Sequence, residues 1–310
     1  MKTCILHIGT EKSGSTALQS WLYQNSQSLS ENGIYLSHSL GFPNNRSFAS
    51  YFAQTLDEWC FKNRIHDSNQ KDLYFTSFEF DLRKELLLAL RRHNVVVITS
   101  EHLHSRVTKK DEILGIRDFL LSVFDKVIVV CYFRPQSQMA LSLYSTSLKF
   151  GHTKNLDDFM GEVSPNSYYY NFERIAENWS SVFGNENCVF KIYSPKTLKM
   201  NNIIIDFIEF LGAEYDWAIP PQNNSNPSLS KKLVQIYRYI NIFIPCRPEY
   251  YSGFFRLTTL LNRSMKILSD FAFRKSKQKL KYHSLSIVQQ RFDETNKRFF
   301  HKYFEGKIYF

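Results

Sequence analysis

The sequence predicts an α/β fold in three layers, a central parallel sheet between helices, followed by a mainly helical C-terminal subregion. Three observations predict it. Short runs rich in β-branched and apolar residues, at Ile5–Ile8, Val95–Ile98, Val127–Phe133 and Cys188–Tyr193, alternate with amphipathic segments long enough for helical crossovers. The first run passes straight through a Gly- and Ser-rich turn into a helix. Beyond Gly212 the strand signals fade and helical periodicity takes over. With 310 residues and 43% hydrophobic content the chain can fill one large core, so a single domain over 1–310 is expected, with an α/β core over 1–212 and the helical subregion over 213–310.

The turn after the first strand contains Gly9, Lys12, Ser13, Gly14, Ser15 and Thr16. Two glycines let a backbone pass close to an anion, a new helix presents its positive dipole end, and Lys12 adds a full charge, so the turn reads as a phosphate cradle. The helix that follows carries Leu18, Trp21, Leu22, Asn25 and Leu29 at steps of three and four, and Gly33 offers its stop. Ile34–Leu36 begins an extended segment, and residues 41–81 are aromatic and irregular, consistent with short helices and loops. A helix over 82–92 leads into a strand over 94–99, and a helix over 111–124 into a strand over 126–133. After Arg134-Pro135 a helix carries Ser142 and Tyr144. Residues 170–183 read as a helix closed by Gly184, and 188–193 as a buried strand. Asn201-Asn202 and Gly212 bracket another helix, and 218–227 is a loop.

Residue order inside the turn selects the ligand class. A nucleoside-triphosphatase loop places its lysine after the second glycine, beside a hydroxyl for Mg²⁺. Here Lys12 precedes the second glycine. The run resembles the 5′-phosphosulfate loop of sulfotransferases, whose donor is 3′-phosphoadenosine 5′-phosphosulfate (PAPS). The stretch His7 through Gln19 is similar to the H-I-G-x-x-K-[ST]-G-[ST]-[ST]-x-L-Q pattern of a bacterial glycan or capsule-type branch. More loosely, Asn224–Ser230 and Phe292–Asn296 sit where such proteins carry similar runs. The resemblance implies a P-loop-like sheet and a second phosphate holder far down the chain, an arginine ending a strand and a serine on the next helix. Arg134 and Ser142 fill those places, and a guanidinium fork suits phosphate. The animal cytosolic branch has an R-K-G-x-x-G-D-W-K-like segment that this chain lacks, so residues 223–232 are the candidate cover for the adenine.

Sulfuryl transfer needs a held donor, a stabiliser for charge on the leaving phosphate and a base for the acceptor. Lys12 suits the second task. The third strand ends in Thr99-Ser100-Glu101-His102-Leu103-His104, at the strand end where an α/β crevice opens. Glu101 is the first candidate for the base, with His102 and His104 behind it, and the resemblance leaves the choice open because branches use Glu or His. His7, inside the first strand, is expected to make a buried hydrogen bond. No metal is required by this picture, since a Mg²⁺-dependent phosphoryl transferase would place an Asp where this chain has Phe133-Arg134. The reaction implied is transfer from PAPS, releasing adenosine 3′,5′-bisphosphate (PAP), to a hydroxyl or amine of a carbohydrate, in particular a cell-surface or capsular glycan. The alternatives are a nucleotide kinase or ATPase, and a non-catalytic protein that docks an anionic glycan or a membrane surface.

Charge fits anionic partners: 39 basic residues against 29 acidic ones leave a net +10. Nucleic acid is not expected, because the aromatics are mostly Phe placed in core patterns rather than interleaved with basic residues. The five cysteines are widely spaced without a C-x-x-C pair, which suits reduced thiols in the cytoplasm. No targeting segment is evident and no run reaches the roughly 20 apolar residues of a membrane span. A basic amphipathic helix over 256–281 ends in five cations between Arg274 and Lys281. The ordinary reading of its stripe, Leu257, Leu260, Leu261, Met265, Leu268 and Phe271, is a core-facing one; contact with an acidic glycan or with the inner membrane face are the others. Arg46, Lys62, Arg64 and Tyr168–Tyr170 are available to shape an acceptor pocket.

Overall fold

A computed structural model describes residues 1–213, 229–245, 254–273 and 283–310. In chain order the elements are β1 (Thr3–Gly9), α1 (Ser15–Gln24), α2 (Ser26–Glu31), β2 (Ile34–Leu36), α3 (Arg46–Phe52), α4 (Glu58–Lys62), α5 (Ser68–Tyr74), α6 (Phe78–Ala89), β3 (Val95–Thr99), α7 (His102–Arg106) and α8 (Lys110–Leu121). There follow β4 (Lys126–Phe133), α9 (Gln136–Lys149), α10 (Leu156–Gly161), α11 (Phe172–Phe183), β5 (Cys188–Ile192), α12 (Ile203–Leu211), α13 (Lys231–Phe243), α14 (Phe254–Phe273), α15 (His283–Gln290) and α16 (Asp293–Tyr303). Two compact units emerge. One, formed by 1–134, 171–225 and 295–310, contains the sheet; the other, formed by 135–170 and 226–294, is helical. The runs 223–228 and 274–281 singled out in the sequence lie outside the described residues.

The sheet is five-stranded and wholly parallel, in the order β2-β3-β1-β4-β5. Thr3 lies beside Val95 on one side and Lys126 on the other, and His7 beside Thr99 and Val130, so β1, β3 and β4 end close to level. The chain order reverses around β1, and a crevice opens at the carboxyl ends of strands where that happens. The three layers of the predicted α/β fold are present. Ile5, Val97, Val130 and Tyr132 pack under Leu18, Trp21 and Leu22 of α1 and Ile203, Ile204, Phe207 and Ile208 of α12. On the opposite face Phe133 meets Phe172 of α11 and Phe299 of α16 at ring separations of 4.8 and 4.9 Å. Cover on both faces explains why β1 is buried along its whole length and reads as an apolar run rather than an alternation.

Three details depart from the sequence reading. The first helix is two, because Asn25 (φ −108°) leaves the helical region and its Nδ2 donates to Trp21 O at 2.8 Å, satisfying a carbonyl from the side chain. Among the described residues β5 is an edge strand paired only with β4, and of its own residues only Ile192 is buried. In the helical unit, the apolar stripe of α14 is exposed rather than core-facing, while Asn262 and Lys266 are buried. His7 behaves as expected: its Nδ1 lies 2.8 Å from Thr99 Oγ1, and it is fully buried beside the rings of Tyr132 and Phe207.

Candidate active site

The turn between β1 and α1 is tied down from several sides. Thr10 donates its N–H and its hydroxyl to Tyr132 O, each at 3.0 Å, fixing the turn to β4. Ser13 is buried and donates to Thr10 O at 2.5 Å. Gly9 (φ +110°) and Gly14 (φ +84°) both adopt backbone that a side chain would strain. A Cβ on Gly9 would lie 3.2 Å from Glu101 Cα, and one on Gly14 would lie 2.9 Å from the Tyr193 ring. The glycines therefore serve close protein packing around the turn as well as its curvature. Gly14 stands at the N-cap of α1 with no side-chain cap bond, Ser15 is buried, and Thr16 is exposed. The helix thus opens with its positive end uncapped by any side chain.

At the end of β4, Arg134 Nη1 donates to Lys12 O at 2.8 Å, and the guanidinium lies 5.6 Å from the centre of the Tyr193 ring. Tyr193, one residue past β5, donates its N–H to Phe133 O at 2.8 Å. Burial draws the Arg134 pKa downward, against the opposing pull of Tyr193. The Lys12 turn and Arg134 are thereby neighbours at the carboxyl end of the sheet. Ser142 is half-buried on α9 in the helical unit.

At the end of β3, Gln19 of α1 donates to Glu101 Oε2 at 2.6 Å. Burial raises the Glu101 pKa; Gln19, its own backbone N–H and the Lys12 ammonium act the other way, and Glu11 adds to the rise. Glu11 shows the opposite balance. Burial alone would raise its carboxyl, but Ser105, His104, His102 and Arg106 together hold it below the usual range. Glu11 N–H donates to Nδ1 of the fully buried His104 at 3.3 Å, so that nitrogen carries no proton. His102 stands between two acids, its Nδ1 3.9 Å from Glu11 Oε1 and its Nε2 4.0 Å from Glu101 Oε1, with Asn44 Nδ2 3.3 Å from Nε2. Arg46, offered from the sequence for an acceptor, is instead buried, ion-paired with Asp57 and bonded to Ser50, while Arg106 Nε donates to Asp57 at 2.7 Å. Lys62 and Arg64 are exposed.

Burial holds both His7 and His102 near a pKa of about 4. As pH falls from about 6.5 toward 4, the unfolded chain takes up these protons and the folded chain does not, so stability declines with falling pH in that window. Glu101, with its raised carboxyl, contributes in the opposite sense. We expect the melting temperature to drop across that interval, and to drop less in His102→Gln. An equally steep drop in His102→Gln would mean that the folded protein charges that ring.

Sequence reasoning gave no role to Glu11, Gln19 or Tyr193. Gln19 lies on the same helix as Ser15 and one turn on, and an acid inside a lysine-bearing turn was itself a signal; Tyr193 left none. Among the described residues no group of three or more His, Cys, Asp or Glu side chains is placed to hold a metal. No protein-family model matches the chain. An uncharacterized protein of Archaeoglobus fulgidus is 27% identical over 201 residues, 64% of this chain and 52% of that protein, so the chain spans about half the length of that relative. A crystal structure of a sulfotransferase from Alicyclobacillus acidocaldarius is similar at a TM-score of 0.46 and 14% identity, over 78% of this chain and 94% of that one.

Proposed function

We propose that the protein is a sulfotransferase that moves a sulfuryl group from PAPS to a hydroxyl or amine of a carbohydrate, a cell-surface or capsular glycan in particular. One observation carries the reading. The Lys12 turn, Glu101 and Arg134 leave the carboxyl ends of three adjacent strands, β1, β3 and β4, with Arg134 bonded to the Lys12 carbonyl and the Lys12 charge acting on Glu101. A donor with phosphates at two positions of one adenosine needs two anion holders close together and a base beyond them. The uncapped start of α1 with Lys12 supplies one holder and Arg134 supplies the other. Ser142 is proposed for the 3′-phosphate from the sequence alone.

In the reaction, Glu101 accepts the proton of the acceptor hydroxyl as the oxygen forms its bond to sulfur. The bond from sulfur to the bridging phosphate oxygen breaks, its electron pair leaves with PAP, and Lys12 stabilises that charge. The raised carboxyl of Glu101 is a stronger base than an exposed glutamate. His104 positions the turn through Glu11 N–H, and burial holds His102 near a pKa of about 4, which makes it a weak proton acceptor and favours Glu101, with its raised carboxyl, as the base. No metal takes part in this scheme. Cys4, Cys60, Cys131 and Cys188 are free thiols, which supports a reducing, cytoplasmic setting. Among the described residues no helix is long and apolar enough to cross a membrane.

Thermal shift tests the donor. A ligand at about 100 times its dissociation constant stabilises by about 2.7 kcal/mol. PAP is expected to raise the melting temperature well beyond AMP, with no requirement for Mg²⁺. Stabilisation by ATP with Mg²⁺ and none by PAP would overturn the assignment in favour of a kinase or ATPase. Labelled donor offered to a panel of desulfated glycans then identifies the acceptor.

A further inference from the structure

Gln19 is only 1% exposed on α1, one turn past Ser15, and its amide meets the end of β3. Burying a primary amide is costly unless its N–H groups find acceptors. Nε2 donates to Glu101 Oε2 at 2.6 Å, and Thr99 Oγ1 and Thr99 O stand 3.4 and 3.5 Å from it. A carbonyl and an ionised carboxylate can only accept, so the amide nitrogen, not its oxygen, faces them. The bond to Glu101 is the short one, and its charged acceptor makes it the strong one. Thr99 is itself held, its Oγ1 2.8 Å from His7 Nδ1 and its N–H donated to Asn45 Oδ1 at 2.8 Å.

The Glu101 side chain is also fixed at its stem. Ser100 N–H donates to His7 O at 2.9 Å, tying the end of β3 to β1, and a Cβ on Gly9 would stand 3.4 Å from Glu101 Cβ, so the turn packs close against it. Glu101 occupies the N-cap of α7, yet its carboxylate makes no cap bond and turns to Gln19 instead. With Oε2 engaged, Oε1 is the oxygen left to take a proton, and it lies 4.0 Å from His102 Nε2. We propose that Gln19 is a positioning residue for sulfuryl transfer, holding Glu101 by Oε2 so that Oε1 is presented to the acceptor hydroxyl or amine. This role rests on the reading of Glu101 as the base. A donor bond to the ionised carboxylate also favours the charged form. Burial and Glu11 oppose ionisation, the Glu101 backbone N–H and Lys12 join Gln19 in favouring it, and His102 is the titratable neighbour on α7.

Gln19→Met tests this, since the side chain keeps its length and loses its donor. In protein labelled with carbon-13 at the glutamate carboxyls, the signal that Glu101→Gln removes belongs to Glu101. Its titration midpoint is expected about one unit or more higher in Gln19→Met than in the parent. The acid limb of kcat/KM should move up with it. On the plateau above that limb kcat should fall by about tenfold, as the carboxylate loses its aim, while PAP affinity stays within about twofold of the parent. Gln19→Glu should move midpoint and limb further, because two carboxyls in contact resist ionising together, and it carries the test alone if Gln19→Met does not fold. An unmoved Glu101 midpoint in the folded variants overturns the role of Gln19 and leaves Glu101 as the base. A midpoint that moves while the limb stays removes Glu101 as the base, and the role of Gln19 with it. A lower melting temperature and weaker PAP binding, with midpoint and limb unchanged, would make Gln19 a structural part of α1 and nothing more.

Discussion

Glu101→Gln is expected to lower turnover by about 10² to 10⁴ while leaving PAP affinity within about twofold of the parent. The substitution keeps the shape of the side chain and its contact with Gln19, since an amide can still meet an amide across 2.6 Å after reorienting. What it removes is the ability to take a proton. Because burial raises the Glu101 carboxyl above its ordinary value, the parent's kcat/KM should fall as pH drops through that raised pKa, where the base becomes protonated. The limb should vanish in Glu101→Gln. His104→Phe gives the contrasting outcome: loss of the acceptor for Glu11 N–H loosens the turn, so donor affinity and melting temperature fall together and the acid limb stays in place. If Glu101→Gln turned over at the parent's rate, the base would have to be sought at His102 or on the acceptor's own path to solvent.

What the sequence disclosed and what it withheld divide along a physical line. β4 was readable to the residue, over Lys126–Phe133, because a strand buried on both faces leaves a continuous apolar run closed by Arg-Pro. The α12 caps were equally clear, since Asn202 accepts from Ile204 N–H and Gly212 takes a left-handed φ of +65°, each a local event encoded by the residue itself. The candidate site was half visible. Its turn is contiguous in sequence, but the contacts of Gln19 with Glu101 and of Glu11 with His104 join residues more than 80 apart, and nothing local announces them. Arg46 illustrates the same limit: a basic residue in an aromatic segment looks available for a ligand until its partner Asp57 is seen. In α14, periodicity correctly revealed two faces, yet a period carries no sign. Only the contacts of Lys266 and Asn262 show which face turns inward.

Arg134→Ala is expected to abolish most of the preference for PAP over AMP, with PAP affinity falling by about 10- to 150-fold, the range for losing a hydrogen-bonded charge from a phosphate. The structure makes the comparison with AMP essential. Arg134 also donates to Lys12 O at 2.8 Å, so its removal loosens the turn proposed to hold the 5′ end, and some loss of affinity for both nucleotides follows from that alone. Calorimetry of PAP and AMP with the same protein separates the two contributions. Loss through the turn lowers both affinities by the same factor and leaves their ratio intact, whereas loss of a 3′-phosphate contact lowers the ratio itself. Arg134→Lys should fall between: it keeps the positive charge near the phosphate but replaces the planar fork that can hold an oxygen of the ligand and the Lys12 carbonyl at once. A parent-like ratio in Arg134→Ala would leave Arg134 as a brace for the Lys12 turn and nothing more. The second anion holder would then have to be another residue, and the case for a bisphosphorylated donor would go with it.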